Sequence, residues 1–421
     1  MRSRLWSVRL VVIVVVSLGL LSACGGGDET TEERDASDAT SPSTTVNPEV
    51  TTAVPSTTTV PPTTAAPTTT TEVIRQELEL IGLGEYEVGV ATVVIASETE
   101  RPLTVDVWFP IDEASGLDAQ EYTFLPGIFY RSPNAVQASL ADISVDGPFP
   151  LIAYSHGSGG QRFIHSNYTE TLASHGHIVV SADHTGNTLI EALTGAGGDL
   201  VGSAEARPGD VDTLLDAALG TEGPTELSAA LSPVLSEDPV VITGHSLGGF
   251  ASYASIAGIT TANLDFEGDD RIGAAITLAP FATEEVLSDD LLARVDVPQL
   301  IIVGSDDKTT PIDPNVERLW ALTSGSPTYR VELAKAEHLT FTDLCDYVTF
   351  LPELGTVPDF VTTELARRSE AGCAPDDMPS ARSQELTNTF AIRFLDEFYE
   401  GEPFIDLASE LLPDDVVFAA R

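Results

Sequence analysis

Five stretches of this chain run apolar almost without interruption: Pro150 to Tyr154, His177 to Ala182, Pro239 to Thr243, Ile272 to Leu278 and Pro298 to Val303. A strand with one wet face alternates apolar and polar side chains, so strands that do not alternate are buried on both faces. That pattern demands a mostly parallel central sheet with helices on either side, an α/β architecture. Leu103 to Phe109 alternates with period two and is expected as a half-buried strand of the same sheet. The spacing of Val211, Leu214, Leu215 and Leu219 predicts a helix over 210–219, opened by Pro208 and Gly209 and stopped by Gly220. A last helix is expected over 382–399. No repeat of fixed period is present.

One of these runs carries chemistry on its end. Val240 to Thr243 leads into Gly244-His245-Ser246-Leu247-Gly248, followed by the small-residue helical start Ala251, Ser252, Tyr253 and Ala254. Only small neighbours let a backbone turn sharply enough to hold a serine out at the sheet edge, where its hydroxyl meets the positive end of a helix. A lone G-x-S-x-G is weak evidence; the strand before it and the helix after it strengthen it. A serine hydroxyl becomes a good nucleophile when a histidine takes its proton and a carboxylate orients that histidine. Of the seven histidines only His338 follows Ser246, in Glu337-His338-Leu339-Thr340-Phe341.

Four segments together resemble a known family: Ser155-His156-Gly157 with Arg162 following, Leu172-Ala173-Ser174-His175-Gly176, Gly244-His245-Ser246-Leu247-Gly248-Gly249, and Glu337 to Phe341. They look like the platelet-activating-factor acetylhydrolase, dienelactone hydrolase or cutinase-like branch of the α/β-hydrolases, over roughly residues 80–400 by pattern. The resemblance implies that fold and ester hydrolysis through an acyl-enzyme, with no metal and no cofactor. It implies the chain order Ser, acid, His, hence Ser246 as nucleophile and His338 as base. The acid is expected just after a late strand, in Gly304-Ser305-Asp306-Asp307-Lys308-Thr309-Thr310-Pro311. In related hydrolases it commonly stands three residues after such a Gly and four before the Pro, which selects Asp307 over the alternative Asp306. The other Asp of the pair is expected to serve as an N-cap or Asx turn. Ser155 to Gly160 resembles an oxyanion-hole loop, and the two donors are assigned to the amides of Ser158 and Leu247.

The chain departs from that family in two places. Ser158 stands where lipid-active relatives tend to carry a bulkier apolar residue, and Leu344 to Ser380 matches nothing familiar. That segment is a lid, a wall of the acyl pocket, or a stabilising insertion. The activities in play are lipase, acetylhydrolase or polyester hydrolase, with dienelactone-type hydrolase or peptidase beside them; acyl preference resides in pocket walls that the motifs do not place. A reading from a different class is a catalytically silent surface lipoprotein that uses the scaffold to bind a ligand or partner. Against it stands the full set of Ser, His, acid and glycine loop in the proper order.

The ends of the chain speak to location. Arg2, Arg4 and Arg9 precede an apolar run from Leu10 to Leu21, too short to span a bilayer comfortably, so residues 1–23 are expected to be an export signal. Leu21-Ser22-Ala23-Cys24-Gly25 resembles a bacterial lipobox, which makes Cys24 the lipid attachment site and places the protein on the outer face of the cell membrane. Residues 24–75 are dense in Thr, Pro, Ser and Ala and are expected as a disordered tether. The catalytic domain is then 76–421. Of the three cysteines, Cys345 and Cys373 remain as a pair outside the reducing cytoplasm, and a disulfide is expected. The net charge of −45, from 65 acidic against 20 basic residues, excludes a nucleic-acid partner, because a phosphate backbone needs a cationic face. Loss of the signal would take it to −48. A monomer acting on an ester substrate is expected.

Two further clusters are given ordinary roles. Five histidines lie between His156 and His184, but apart from His175 and His177 their spacing fits no metal-ligand pattern, and structural roles are expected. Asp265, Glu267, Asp269 and Asp270 lack EF-hand spacing and are expected to form a solvated turn before Ile272.

Overall fold

The computed structural model describes residues 75–421, apart from 356 and 407–408. The export signal, Cys24 and nearly all of the expected tether therefore lie outside the described residues. Eleven strands form the main sheet, numbered in chain order: β1 Glu87–Ile95, β2 Leu103–Ile111, β3 Ala119–Leu125, β4 Ile128–Gln137, β5 Leu151–Ser155, β6 Ile178–Ala182, β7 Val240–His245, β8 Ile272–Leu278, β9 Gln299–Gly304, β10 Thr328–Leu333 and β11 Val416–Ala420. Their spatial order is β11-β10-β9-β8-β7-β5-β6-β2-β1-β4-β3. From β10 to β6 all neighbours are parallel, and the antiparallel pairings lie toward the two edges.

Each of the five apolar runs is a strand of the parallel centre, and the reason they do not alternate is visible in their packing. In β5, Ile152 and Tyr154 face one core while Leu151 and Ala153 face another. The helices used below are α1 Ser166–Ser174, α2 Leu189–Thr194, α3 Leu200–Leu219, α4 Leu247–Ala257, α5 Leu344–Phe350, α6 Asp359–Ser369 and α7 Ser380–Glu400. The first core takes Tyr168 and Leu172 of α1 with Phe390, Phe394 and Leu395 of α7. The second takes Val211, Leu214 and Leu215 of α3. A third, beneath α4, gathers Phe250 and Tyr253 against Ile301 and Val303 of β9. Fully burying a Val, Leu, Ile or Phe side chain contributes about 1.5–3 kcal/mol, so both faces of the central strands stabilise the fold.

One helix boundary differs from expectation. Pro208 lies inside α3, not at its start, and the helix begins eight residues earlier, where the Asp199 carboxylate accepts a hydrogen bond from Gly202 N–H at 2.7 Å. An N-cap with its own side-chain acceptor outweighs the preference of proline for a first turn. Gly220 ends α3 in a left-handed conformation, as expected. Among the described residues no helix is long and apolar enough to cross a membrane.

Candidate active site

The parallel strands all point their carboxyl ends the same way, and β7 delivers Ser246 there, between β7 and α4. Ser246 has φ 56° and ψ −116°, a region that residues other than glycine rarely adopt and that stores about 1–3 kcal/mol of strain. The turn is possible because its neighbours are glycines. A Cβ at Gly244 would sit 2.4 Å from the Gly248 carbonyl oxygen, and one at Gly248 would sit 1.9 Å from that of Ser155. Neither is a distance that backbone can yield to.

Ser246, His338 and Asp307 form one hydrogen-bonded chain. The Ser246 hydroxyl lies 2.9 Å from His338 Nε2, and His338 Nδ1 donates to Asp307 Oδ2 at 2.8 Å. Asp307 is fixed in turn by its own turn: Oδ1 accepts the N–H groups of Thr309 and Thr310, both at 2.8 Å, and Oδ2 accepts the Thr310 hydroxyl at 2.8 Å. Burial pushes the Asp307 carboxyl up, but the hydrogen bond and charge of His338 with the Thr310 donors outweigh it and hold it below the ordinary value. Asp306 is exposed and accepts a hydrogen bond from Ser305 at 2.7 Å. The expected division of labour is therefore corrected: Asp307 both meets the histidine and makes the Asx turn, because its two oxygens face different donors. Two supporting residues escaped the sequence reading. Thr310 sits three residues past the acid, where an Asx-turn donor belongs and a side-chain pattern could have found it. His245 Nε2 donates to the His338 carbonyl at 2.9 Å, a contact across 93 positions with no local signal.

The loop after β5 lies against this serine. A Cβ at Gly157 would be 3.4 Å from that of Ser246, so the absence of one lets the two backbones meet. Leu247 is buried at the head of α4 and Ser158 is exposed. Among the described residues neither of their N–H groups is engaged in a hydrogen bond. Two unengaged amides beside a serine can hold a developing oxyanion, and the α4 N-terminus adds its positive end.

A second Ser–His–Asp chain starts from Ser155 at the end of β5. Ser155 donates to His184 Nε2 at 2.8 Å, and His184 Nδ1 donates to Asp210 at 2.8 Å. Burial, with Arg207 nearby, lowers His184 to about 4, so its ring is neutral. Burial pushes the Asp210 carboxyl up, yet hydrogen bonds from Arg101 and His184 hold it below the ordinary value. This chain is closed: Ser155 is 1% exposed, lies in regular strand, and its hydroxyl also accepts from Arg207 at 3.1 Å. Ser246, on its strained turn, is 9% exposed and so the more open of the two serines.

The remaining candidates fall into place around these two chains. Cys345 and Cys373 are disulfide-bonded and tie α5 to the segment after α6. From α6, Arg368 reaches back and donates to the Gly159 carbonyl at 2.9 Å, so the unmatched segment forms a wall over the glycine loop. The buried histidines have polar partners, such as His156 Nδ1 on the Gly157 carbonyl and His177 Nδ1 on that of Leu172. His175 caps the end of α1 and His177 lies two residues on, before β6 begins at Ile178, so the two share no strand face. Among the described residues no group of three or more His, Cys, Asp or Glu is arranged to hold a metal. The acidic loop is only partly a solvated turn: Asp265 pairs in a two-residue hairpin, and Asp269 is buried in a double hydrogen bond with Arg271 at 2.8 and 2.6 Å.

Comparison with known proteins agrees with this geometry at the level of fold. Residues 129–194 match the family model of platelet-activating factor acetylhydrolase, isoform II. The matched segment holds the glycine loop and His184 and stops before Ser246. No curated protein sequence matches the chain. Among solved structures, the ferulic acid esterase from Streptomyces cinnamoneus is 21% identical with a TM-score of 0.57, covering 82% of this chain and 98% of the esterase. The chain has the α/β-hydrolase fold, with a small disulfide-bearing insertion near its C-terminus.

Proposed function

We propose that this α/β-hydrolase is a serine esterase that cleaves carboxylic esters through an acyl-enzyme. His338 takes the proton of Ser246 as its oxygen attacks the ester carbonyl, and Asp307 keeps the imidazole in the tautomer whose Nε2 can accept. The negative oxygen of the tetrahedral intermediate is held by the amides of Ser158 and Leu247. The protonated His338 then gives its proton to the departing alcohol. A water, deprotonated by the same nitrogen, attacks the acyl-enzyme and frees the acid and Ser246.

The observation that carries this reading is the unbroken hydrogen-bonded chain from a strained serine through His338 to Asp307. The match to an acetylhydrolase family and the likeness to a ferulic acid esterase favour esters over other acyl substrates. Hydrolysis of short-chain p-nitrophenyl esters by the parent and its Ser246→Ala variant tests it. Loss of turnover by several orders of magnitude is expected; a variant as active as the parent refutes the assignment.

The proposal extends to place. Export with lipid attachment at Cys24, on the outer face of the membrane, is supported by the order of basic, apolar and small residues before that cysteine. Cys24→Ala should abolish labelling by a clickable fatty acid while the domain stays active. Continued labelling of that variant excludes the lipobox.

A further inference from the structure

The glycine loop is held from behind by a fully buried arginine. Arg207, on α3, is 0% exposed and makes no contact with a carboxylate among the described residues. A buried guanidinium is costly unless dipoles replace its water; here backbone and side-chain oxygens do so at both terminal nitrogens, while Nε has no hydrogen-bond partner among the described residues. One terminal nitrogen donates to the Ser155 hydroxyl at 3.1 Å and to the His156 carbonyl. The other donates to the Gly157 carbonyl at 3.3 Å and to Asn187 Oδ1 at 2.7 Å. Asn187 in turn donates through Nδ2 to the Ser158 hydroxyl at 3.2 Å. Asp210, three residues on in α3, makes no hydrogen bond to Arg207 and is joined to it by hydrogen bonds through Ser155 and His184.

The direction of these bonds matters more than their number. In a trans peptide the carbonyl of one residue and the N–H of the next point opposite ways. The Gly157 carbonyl is turned inward by three donors: Arg207, His156 Nδ1 at 2.7 Å and Gly160 N–H at 3.1 Å. The N–H of Ser158 must then face outward. His156 itself is kept in the required tautomer, since its Nε2 accepts the His184 N–H at 3.2 Å and leaves the proton on Nδ1.

We infer that Arg207 is a positioning residue for ester hydrolysis, its guanidinium fixing the Gly157–Ser158 peptide so that the Ser158 N–H points to where the substrate oxyanion forms. The inference rests on the esterase reading above. The closed Ser155–His184–Asp210 chain belongs to the same device: through Ser155 it links Arg207 to the negative charge of Asp210.

Arg207→Lys keeps the cation but cannot span the four acceptors. For parent and variant, kcat and KM are measured per active site titrated with a fluorophosphonate, together with the inhibition constant of an alkyl boronic acid, which forms a tetrahedral anion on serine. Complete loss of an oxyanion donor costs about 10²–10³ in rate, so misaiming one should lower kcat per titrated site by about 10–100-fold. KM should hold within about threefold and boronate binding should weaken in step with kcat/KM. A merely structural role would reduce the titratable fraction and leave kcat per site at the parent value; that result overturns the inference. Asn187→Ala, at a half-buried loop position, decides the matter if the lysine variant does not fold. A fall of about 2–10-fold in kcat at constant KM supports the inference, and parental kcat overturns it. Parent turnover and labelling of Ser246 report separately on the esterase reading, so its failure would appear before any variant is compared.

Discussion

Asp307→Asn puts the account under the most specific strain. The new amide must choose which atom faces which donors. Its oxygen is drawn to the Oδ1 position, where the N–H groups of Thr309 and Thr310 both donate at 2.8 Å, because an NH₂ group there would oppose two donors at once. The NH₂ is then left facing His338 Nδ1, which in the parent donates to Oδ2 at 2.8 Å. To accept from it, His338 must move its proton to Nε2, and a protonated Nε2 cannot take the proton of Ser246 2.9 Å away. Forcing the wrong tautomer in a serine protease lowers kcat on the order of 10⁴, about 5.5 kcal/mol of transition-state stabilisation. A loss of that order is expected here at neutral pH, with KM nearly unchanged and the fold intact by circular dichroism. Asp306→Asn, which disturbs only an exposed contact with Ser305, should stay within about twofold of the parent. Steady-state hydrolysis of p-nitrophenyl acetate by the two variants reads out both expectations. Retention of activity in Asp307→Asn, or its collapse in Asp306→Asn, refutes the reasoning.

Burial raises Glu170 and Asp343 to about 7, against the pull of Tyr122 on the first and Ser166 on the second. A carboxyl raised in the folded state contributes stability that is complete below its unfolded value, ordinarily 4.5 for Glu and 3.8 for Asp, and lost as pH climbs through about 7. Tm should therefore fall between pH 5 and pH 8, and fall less in Glu170→Gln and in Asp343→Asn; identical pH profiles in parent and variants contradict it. The disulfide closes 28 residues, so the Cys345→Ser/Cys373→Ser variant should lose about 3 kcal/mol in urea denaturation, and a loss below about 1 kcal/mol contradicts the loop-closure argument.

The parallel centre of the sheet was legible because burial on both faces leaves a trace in composition: Ile272 to Leu278 is a strand to the residue. The outer strands were not, because β3 and β4 mix exposed and buried positions and β10 carries Thr328, Arg330 and Glu332 among its apolar residues. The hydrogen-bonded pair of Ser246 and His338 could be anticipated because glycine spacing marks the one and the other is the single histidine after it. The choice between Asp306 and Asp307 turns on which way adjacent side chains point, which follows from the turn that Thr309 and Thr310 close. Arg207 had no local signal. It lies in an ordinary stretch of helix, and its partners at Ser155, His156 and Gly157 come from about 50 residues away along the chain. Pro208 beside it marks no helix start, which Asp199 provides instead.

Covalent labelling tests directly whether Ser246 is the nucleophile. The purified domain is treated with a fluorophosphonate, digested, and the modified peptide sequenced by mass spectrometry. One phosphonylated residue, Ser246, is expected, with labelling blocked by prior incubation with an ester substrate. A label on Ser155 or any other residue, or an unlabelled Ser246 in a folded protein, contradicts it.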